Sequence, residues 1–285
     1  MSISKALSTA TSGLSAAALR ASITSSNIAN ANSPGYVRRD LSVSEGTWGG
    51  VQINGITRNQ NLALSADRRI AEASVNRADV IANTQTQFSQ ALGDPEAGYG
   101  LFTIWQNFET TLNDLAVTPE SPTHQSAVLL ASQELVSEFN DLSSFISDQR
   151  VAADAAIADA VTTVNNALHE LDKINGDIAS AGEGTEQAAN LEDRRQQLLD
   201  TISRILPVKS IDAGNGKINL ITREGIFLLG DTVKELSFSQ SPTITPSDAF
   251  PGGSLSGITI DGTDISPGGG GRFAVQSGAL AVAGA

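Results

Sequence analysis

The stretch NIANANSPGYVRR, Asn27 to Arg39, interrupts a helical pattern that begins almost at Met1. Pro34 disfavours a helical conformation at Ser33, and Gly35 admits a positive φ, so the helix must stop here. Asn27, Asn30 and Asn32 are suited to bonding local backbone groups in a turn. Tyr36 can pin the exiting strand through its ring and its hydroxyl. From the residues alone the stretch is a rigid corner.

Upstream of the corner the apolar positions are Ile3, Leu7, Ala10, Leu14, Ala17, Ala21 and Ile28, with Thr24 in the remaining slot. Alternating steps of four and three make this a heptad seam. A seam of mostly small residues gains stability only when buried, and it suits close packing among several helices better than a thick core. Its occupant is either another copy or partner, or the protein's own body. Charge is uneven as well: up to Arg39 only Lys5, Arg20, Arg38 and Arg39 are charged, and the first acid is Asp40. An acid-free, Ser-rich amphipathic start also fits an organellar transit peptide, which keeps a targeting reading open.

The chain of 285 residues is 40% hydrophobic, enough for more than one domain, and carries a formal charge of −13. That charge argues against nucleic acid and anionic membranes as partners, since a nucleic-acid binder concentrates Lys and Arg on one face. Without cysteine there is no disulfide framework, thiolate metal site or Cys nucleophile. No stretch approaches the roughly 20 apolar residues of a membrane span, and the N-terminus lacks the apolar core of a secretory signal. Export, if any, is expected to proceed without a cleaved signal peptide.

Downstream, the periodicity predicts helices from near Leu62 to Leu92, from Leu101 to Ala116, and from Pro122 to near Ser180. The last has no internal Pro, and at 1.5 Å per residue it is on the order of 85 Å long, a rod rather than part of a compact domain. Gly182 and Gly184 punctuate, Gln187 to Leu206 returns antiparallel, and Pro207 stops it. Beyond lie short alternating runs, KINLITREGIFLLG and KELSFS, separated by DAGNG and GD turns, which predict a β-rich module. The fold class is therefore mainly α, an elongated, coiled-coil-like long-helix bundle with an N-terminal assembly helix and an appended β-rich module. Three parts are expected: residues 1–61, 62–206 and 207–285.

The order SNIANANSPGY, following an Ala/Ser/Leu heptad some thirty residues from the start, resembles the signature of the rod, hook and hook-associated axial proteins of the bacterial flagellum. Ser33 stands where that family usually carries Thr. Within the group, GVQINGITR (Gly50–Arg58), the run from Leu101 to Leu142 and NLEDRRQQLLDTIS (Asn190–Ser203) are similar to the hook-associated protein 1 family. In the last of these, Arg195 replaces an acid and Glu192 shifts the pattern. The similarity covers about the first 230 residues. It implies a structural, extracellular flagellar protein at the junction of hook and filament, self-assembling in a ring. Hook protein and neighbouring hook-associated proteins would be its partners, with an export chaperone. The family's small-residue stretch leads on to a further long helix and a C-terminal heptad helix that pairs with the N-terminal one. The resemblance thus implies a C-terminally truncated or split chain.

No catalytic or cofactor-binding set emerges. His169-Glu170 opens an H-E-x-x pattern, but Lys173 stands where the second zinc-binding His belongs. His124 fits a capping or solvated role at a helix start. Gly268–Gly271 lead to Arg272 rather than Lys-Ser/Thr, so no P-loop forms, and DAGNG lacks calcium-loop spacing. Asp193, Arg194 and Arg195 fit a solvated face or interhelical ion pairs. The candidate residues are therefore ones of assembly: Ile3, Leu7, Leu14 and Ile28 on the seam, and Asn27, Asn30, Pro34, Gly35 and Tyr36 at the corner. The competing reading is a soluble helical adaptor or secreted factor whose N-terminus is a targeting peptide, removed on maturation.

Overall fold

Cap residues set the helix boundaries. In the computed structural model, which describes residues 3–47 and 49–267, helix α1 (Ile3–Ala29) leads into the corner and then a hairpin of β1 (Arg39–Glu45) and β2 (Val51–Arg58). Three long helices follow: α2 (Leu62–Leu92), α3 (Leu101–Val117) and α4 (Pro122–Ala181). The Asn61 side chain accepts from the Leu64 N–H at the start of α2, and Ser121 does the same for His124 ahead of Pro122 in α4. Each cap satisfies an otherwise orphaned donor. Gly182, at φ 78°, ends α4 after 60 residues, about 90 Å of helix. Helix α5 (Glu186–Ile205), capped by Thr185, returns along it.

The core sits where α5 covers the second half of α4. Val164, Leu168, Leu171 and Ile178 of α4 pack on Leu198, Leu199 and Ile202 of α5 at heptad spacing. Into the same core the β-rich module inserts Leu220, Leu228, Leu229, Leu236, Ile260 and Ile265. Each fully buried leucine or isoleucine contributes roughly 1.5–3 kcal/mol, so this junction is the most stabilised region of the chain.

The module comprises two small antiparallel sheets. One has the order β3 (Val208–Gly214), β4 (Lys217–Thr222), β5 (Phe227–Leu229); the other has β6 (Leu236–Ser237), β7 (Thr259–Ile260), β8 (Thr263–Asp264). The DAGNG turn joins β3 to β4 with Asn215 at φ 56° and Gly216 at φ 72°, the two left-handed residues of a tight hairpin turn. The architecture is the mainly α one that the spacing predicts. The C-terminal run from Arg272 and the glycines before it lie outside the described residues. Among those described, no helix is long and apolar enough to cross a membrane.

Near its start α4 packs on α3, to which a four-residue turn joins it as an antiparallel neighbour. Leu101, Ile104 and Phe108 of α3 and Ala131, Leu135 and Leu142 of α4 are buried or half-buried apolar positions of this pair. Phe88 of α2 meets Phe145 of α4 edge to face, with centroids 5.5 Å apart. The opposite end of α4 lies beside the β1–β2 hairpin, where the Ile56 N–H donates to the Gly184 carbonyl at 2.7 Å. A side chain at Gly55 would stand 3.0 Å from Gly184 Cα, so both glycines are required by the close approach of two backbones.

Candidate assembly interface

Helix α1 has two faces, one covered by the hairpin and one exposed. Against the hairpin it presents Ser12, Ala16, Ile23 and Asn27; the Ser12 hydroxyl accepts from the Val51 N–H at 3.1 Å, and Ala16 and Ile23 are buried. At 100° per residue, Leu14 and Ala16 lie 200° apart, on nearly opposite sides. The seam residues Ile3, Leu7, Leu14 and Ile28 are accordingly 88%, 64%, 72% and 73% exposed. The protein's own body does cover α1, but on the other face. The signal for that second face was present as Ser12, Ala16, Leu19 and Ile23, a weaker four-three-four pattern that the larger aliphatics masked.

At the corner one side chain does most of the positioning. Asn27 Oδ1 accepts from the Tyr36 hydroxyl at 2.8 Å and from the Arg39 N–H at 3.0 Å, while its amide donates to the Arg39 carbonyl at 2.8 Å. Asn27 thus pairs with both backbone groups of Arg39 as a neighbouring strand would. Asn30 donates to the Ser26 carbonyl at 3.0 Å and accepts from the Ser33 hydroxyl at 3.3 Å. Gly35 adopts φ 81°, and the Pro34 carbonyl accepts from Gln197 of α5 at 3.0 Å. The Tyr36 ring lies 4.9 Å from the Arg39 guanidinium carbon, a cation–π contact.

Beneath the corner lies a charged latch that the sequence reading missed. Arg39 Nη2 is 2.5 Å from Asp193 Oδ2, and Arg58 Nη2 is 2.6 Å from Asp193 Oδ1. Arg58 also reaches Glu192 at 3.3 Å, while Arg68 and Arg69 hold Asp200 at 2.7 and 2.9 Å. The Asp200 carboxylate, as hydrogen-bond acceptor, raises the Arg68 pKa. The expectation of a solvated face or interhelical ion pairs holds for Arg194 and is corrected for Asp193 and Arg195: both are buried, because the hairpin and the β3–β4 turn cover α5 from two sides. Arg195 points the other way and donates to the Gly216 carbonyl at 2.5 Å; burial lowers its pKa. Only Arg194 is solvated, pairing with Glu170 across the helices at 2.9 Å. Helix periodicity could not reveal this, since the partners lie 135 and 154 residues away.

The residues weighed for catalysis have ordinary partners. His169 Nε2 lies 2.6 Å from Glu235, and His124 Nδ1 lies 2.6 Å from the Thr118 hydroxyl.

Residues 85–271, from the end of α2 through α5 and most of the β-rich module, match the helical domain of the flagellar hook-associated protein FlgK. The chain belongs to the FlgK family. Residues 7–36, which hold most of α1 and the corner, match the flagella basal body rod protein family. The chain is 26% identical over 262 residues to flagellar hook-associated protein 1 of Escherichia coli and 26% identical over 235 residues to that of Bacillus subtilis. The matches take in 87% and 77% of the chain and 46% of each relative, so it spans about half the length of these FlgK relatives. The solved structure of the flagellar hook junction protein FlgK from Burkholderia pseudomallei shares the fold, with a TM-score of 0.53 at 20% identity over 77% of this chain and 36% of that one.

Proposed function

We propose that the chain is a structural element of the bacterial flagellum that self-assembles through the outward seam of α1 at the junction of hook and filament. The observation that carries this reading is the exposure of Ile3, Leu7, Leu14 and Ile28 at heptad spacing, on the face of α1 opposite the one its hairpin covers. Four large aliphatics left in water on one stripe gain free energy only when another helix covers them. The corner residues Asn27, Asn30, Pro34, Gly35 and Tyr36 fix the direction in which that stripe is presented, and the Asp193 latch fixes the corner to the bundle.

On this reading residues 1–61 are the assembly unit, 62–206 the spacer and 207–285 an outer module. The partners are further copies in a ring, hook protein and neighbouring hook-associated proteins, with a chaperone during export. The location is extracellular, reached without a cleaved signal peptide. The test is incorporation into flagella of the chain with Leu7 and Leu14 replaced by Asp. Loss of incorporation with an unchanged melting profile supports the proposal. Normal incorporation, or a mature protein from which residues 1–30 have been removed, sinks it in favour of a targeting peptide.

A further inference from the structure

The DAGNG turn between β3 and β4 carries a chemistry that the fold leaves open. Asparagine followed by glycine is the dipeptide in which a backbone nitrogen most readily attacks the preceding side-chain amide, because no Cβ on the second residue shields that nitrogen. The chain has three such pairs: Asn54-Gly55, Asn175-Gly176 and Asn215-Gly216. Folding treats them differently.

Asn175 is buried in the α4 core. Its amide donates to the Ile218 carbonyl at 2.8 Å and its Oδ1 accepts from the Ile218 N–H at 3.3 Å, while the helix holds the Gly176 backbone. Asn54 stands on β2, where its Oδ1 accepts from the Ser44 hydroxyl at 3.1 Å and Gly55 is pressed against Gly184. Asn215 has no such restraint. It is exposed at the tip of its hairpin, and neither its side chain nor the Gly216 N–H has a hydrogen-bond partner among the described residues. The Gly216 carbonyl, by contrast, is taken by buried Arg195 at 2.5 Å. Electrophile and nucleophile are thus free side by side, and the carbonyl just beyond them is anchored to α5.

We infer that Asn215 is a site of spontaneous deamidation, with water as the co-reactant, and that its isoaspartyl product releases Arg195. Solvent base removes the Gly216 N–H proton, the nitrogen bonds to Asn215 Cγ, and the Cγ–Nδ2 bond breaks as ammonia leaves. Water then opens the succinimide. Cleavage of the N–Cγ bond gives aspartate on an unchanged main chain. Cleavage of the bond from that nitrogen to the carbonyl carbon of residue 215 gives isoaspartate, whose main chain runs through Cβ and Cγ and is longer by one carbon. That insertion displaces the Gly216 carbonyl and leaves Arg195 only its longer contacts, to Asn175 at 3.4 Å and Glu192 at 3.8 Å. A buried guanidinium that loses its nearest acceptor no longer ties the turn to α5. The inference is independent of the assembly role of α1.

The test is incubation of the full chain at neutral and mildly alkaline pH, folded and in denaturant, with deamidation at each pair followed by peptide mapping in a mass spectrometer. In denaturant all three pairs should react at comparable rates. In the folded chain Asn215 should react at least tenfold faster than Asn54 and Asn175, and faster still at the higher pH. A folded-state rate at Asn215 no greater than at the other two overturns the inference. Release of Arg195 is read from hydrogen exchange of the Ile218 amide in the isoaspartyl fraction, the unmodified chain and Asn215→Asp. Exchange at least tenfold faster in the isoaspartyl fraction alone supports the release. Equal exchange in all three overturns it, and acceleration in Asn215→Asp as well would overturn the main-chain account in favour of the added charge.

Discussion

Arg39 and Asp193, 154 residues apart in sequence, meet in a 2.5 Å ion pair beneath the corner. Arg58 holds the other oxygen of the same carboxylate at 2.6 Å, so one buried acid ties both strands of the N-terminal hairpin to α5. Removing one partner of a buried, hydrogen-bonded charge cluster leaves the rest uncompensated, at about 3–5 kcal/mol. Asp193→Ala should therefore destabilise docking of the hairpin by about that amount, read from denaturant unfolding with a probe on the hairpin. A loss below about 1 kcal/mol would mean that the latch is a surface pair in effect.

At Gly35 two effects combine, a φ of 81° and a Cβ position only 2.7 Å from Gln197 Nε2. The contact is with the far end of a flexible side chain, so the backbone contributes most of the penalty. Gly35→Val is expected to cost about 1–3 kcal/mol at the corner. In a double-mutant cycle Gln197→Ala should recover only the smaller, steric part. Because the bundle has its own core, assembly should suffer more than its melting. If the bundle melts first and assembly fails only in consequence, the corner is a core element.

Helix positions and ends were readable from the sequence because glycines, prolines and heptads are local: Pro122, Gly182 and Pro207 act within one turn of where they sit. The corner was readable for the same reason, its Asn27–Tyr36 bond spanning nine residues. What could not be read was which face of each helix would be covered. Asp193 and Arg195 have the pattern of a solvated face and are buried only because the hairpin and the β3–β4 turn arrive from elsewhere in the chain. Leu14 and Ala16 are both apolar positions on one helix, and periodicity does not say which of two stripes the hairpin will take.

The loop from Thr245 to Ser254 gives a pH dependence of definite sign. The Ser254 hydroxyl, followed by the Thr245 N–H and hydroxyl, bonds the Asp248 carboxylate and holds its pKa below the ordinary carboxylate value, with Arg150 adding attraction. A depressed carboxyl stabilises the loop in full above its unfolded-chain value, and that stabilisation is lost as pH falls through the lowered folded value. The Thr245 amide should thus remain protected from hydrogen exchange at neutral pH and lose protection only in acid, after allowance for the intrinsic rate. Asp248→Asn should abolish that pH step. A loss of protection near neutrality would contradict the assignment.

An α4 of 60 residues also fixes the hydrodynamics. A compact chain of this length has a radius of gyration of about 19 Å. A 90 Å rod alone has one of about 26 Å. Small-angle scattering of the monomer should give a value well above the compact figure. A result near 19 Å would mean that α4 is broken in solution.

Hydrogen exchange along α1 separates its two faces most sharply. From Ser12 to Asn27 the helix is backed by the hairpin through Ala16, Ile23 and the Ser12–Val51 bond, so these amides should be protected in the isolated chain. From Ile3 to Ala10 no residue is buried, and an isolated helical turn of small residues gains too little to offset its ordering entropy. Protection should therefore fall away toward the N-terminus in dilute solution. On assembly, burial of Leu7 and Leu14 should extend it to the first turn. Leu14→Asp should abolish that extension while leaving the exchange of Ser12 to Asn27 and the melting of the bundle unchanged, because a charge is costly in a closed helix seam and costs little on an open face. Strong protection of Ile3 to Ala10 in the monomer would show that something in the chain already covers the seam, and the assembly role would fall.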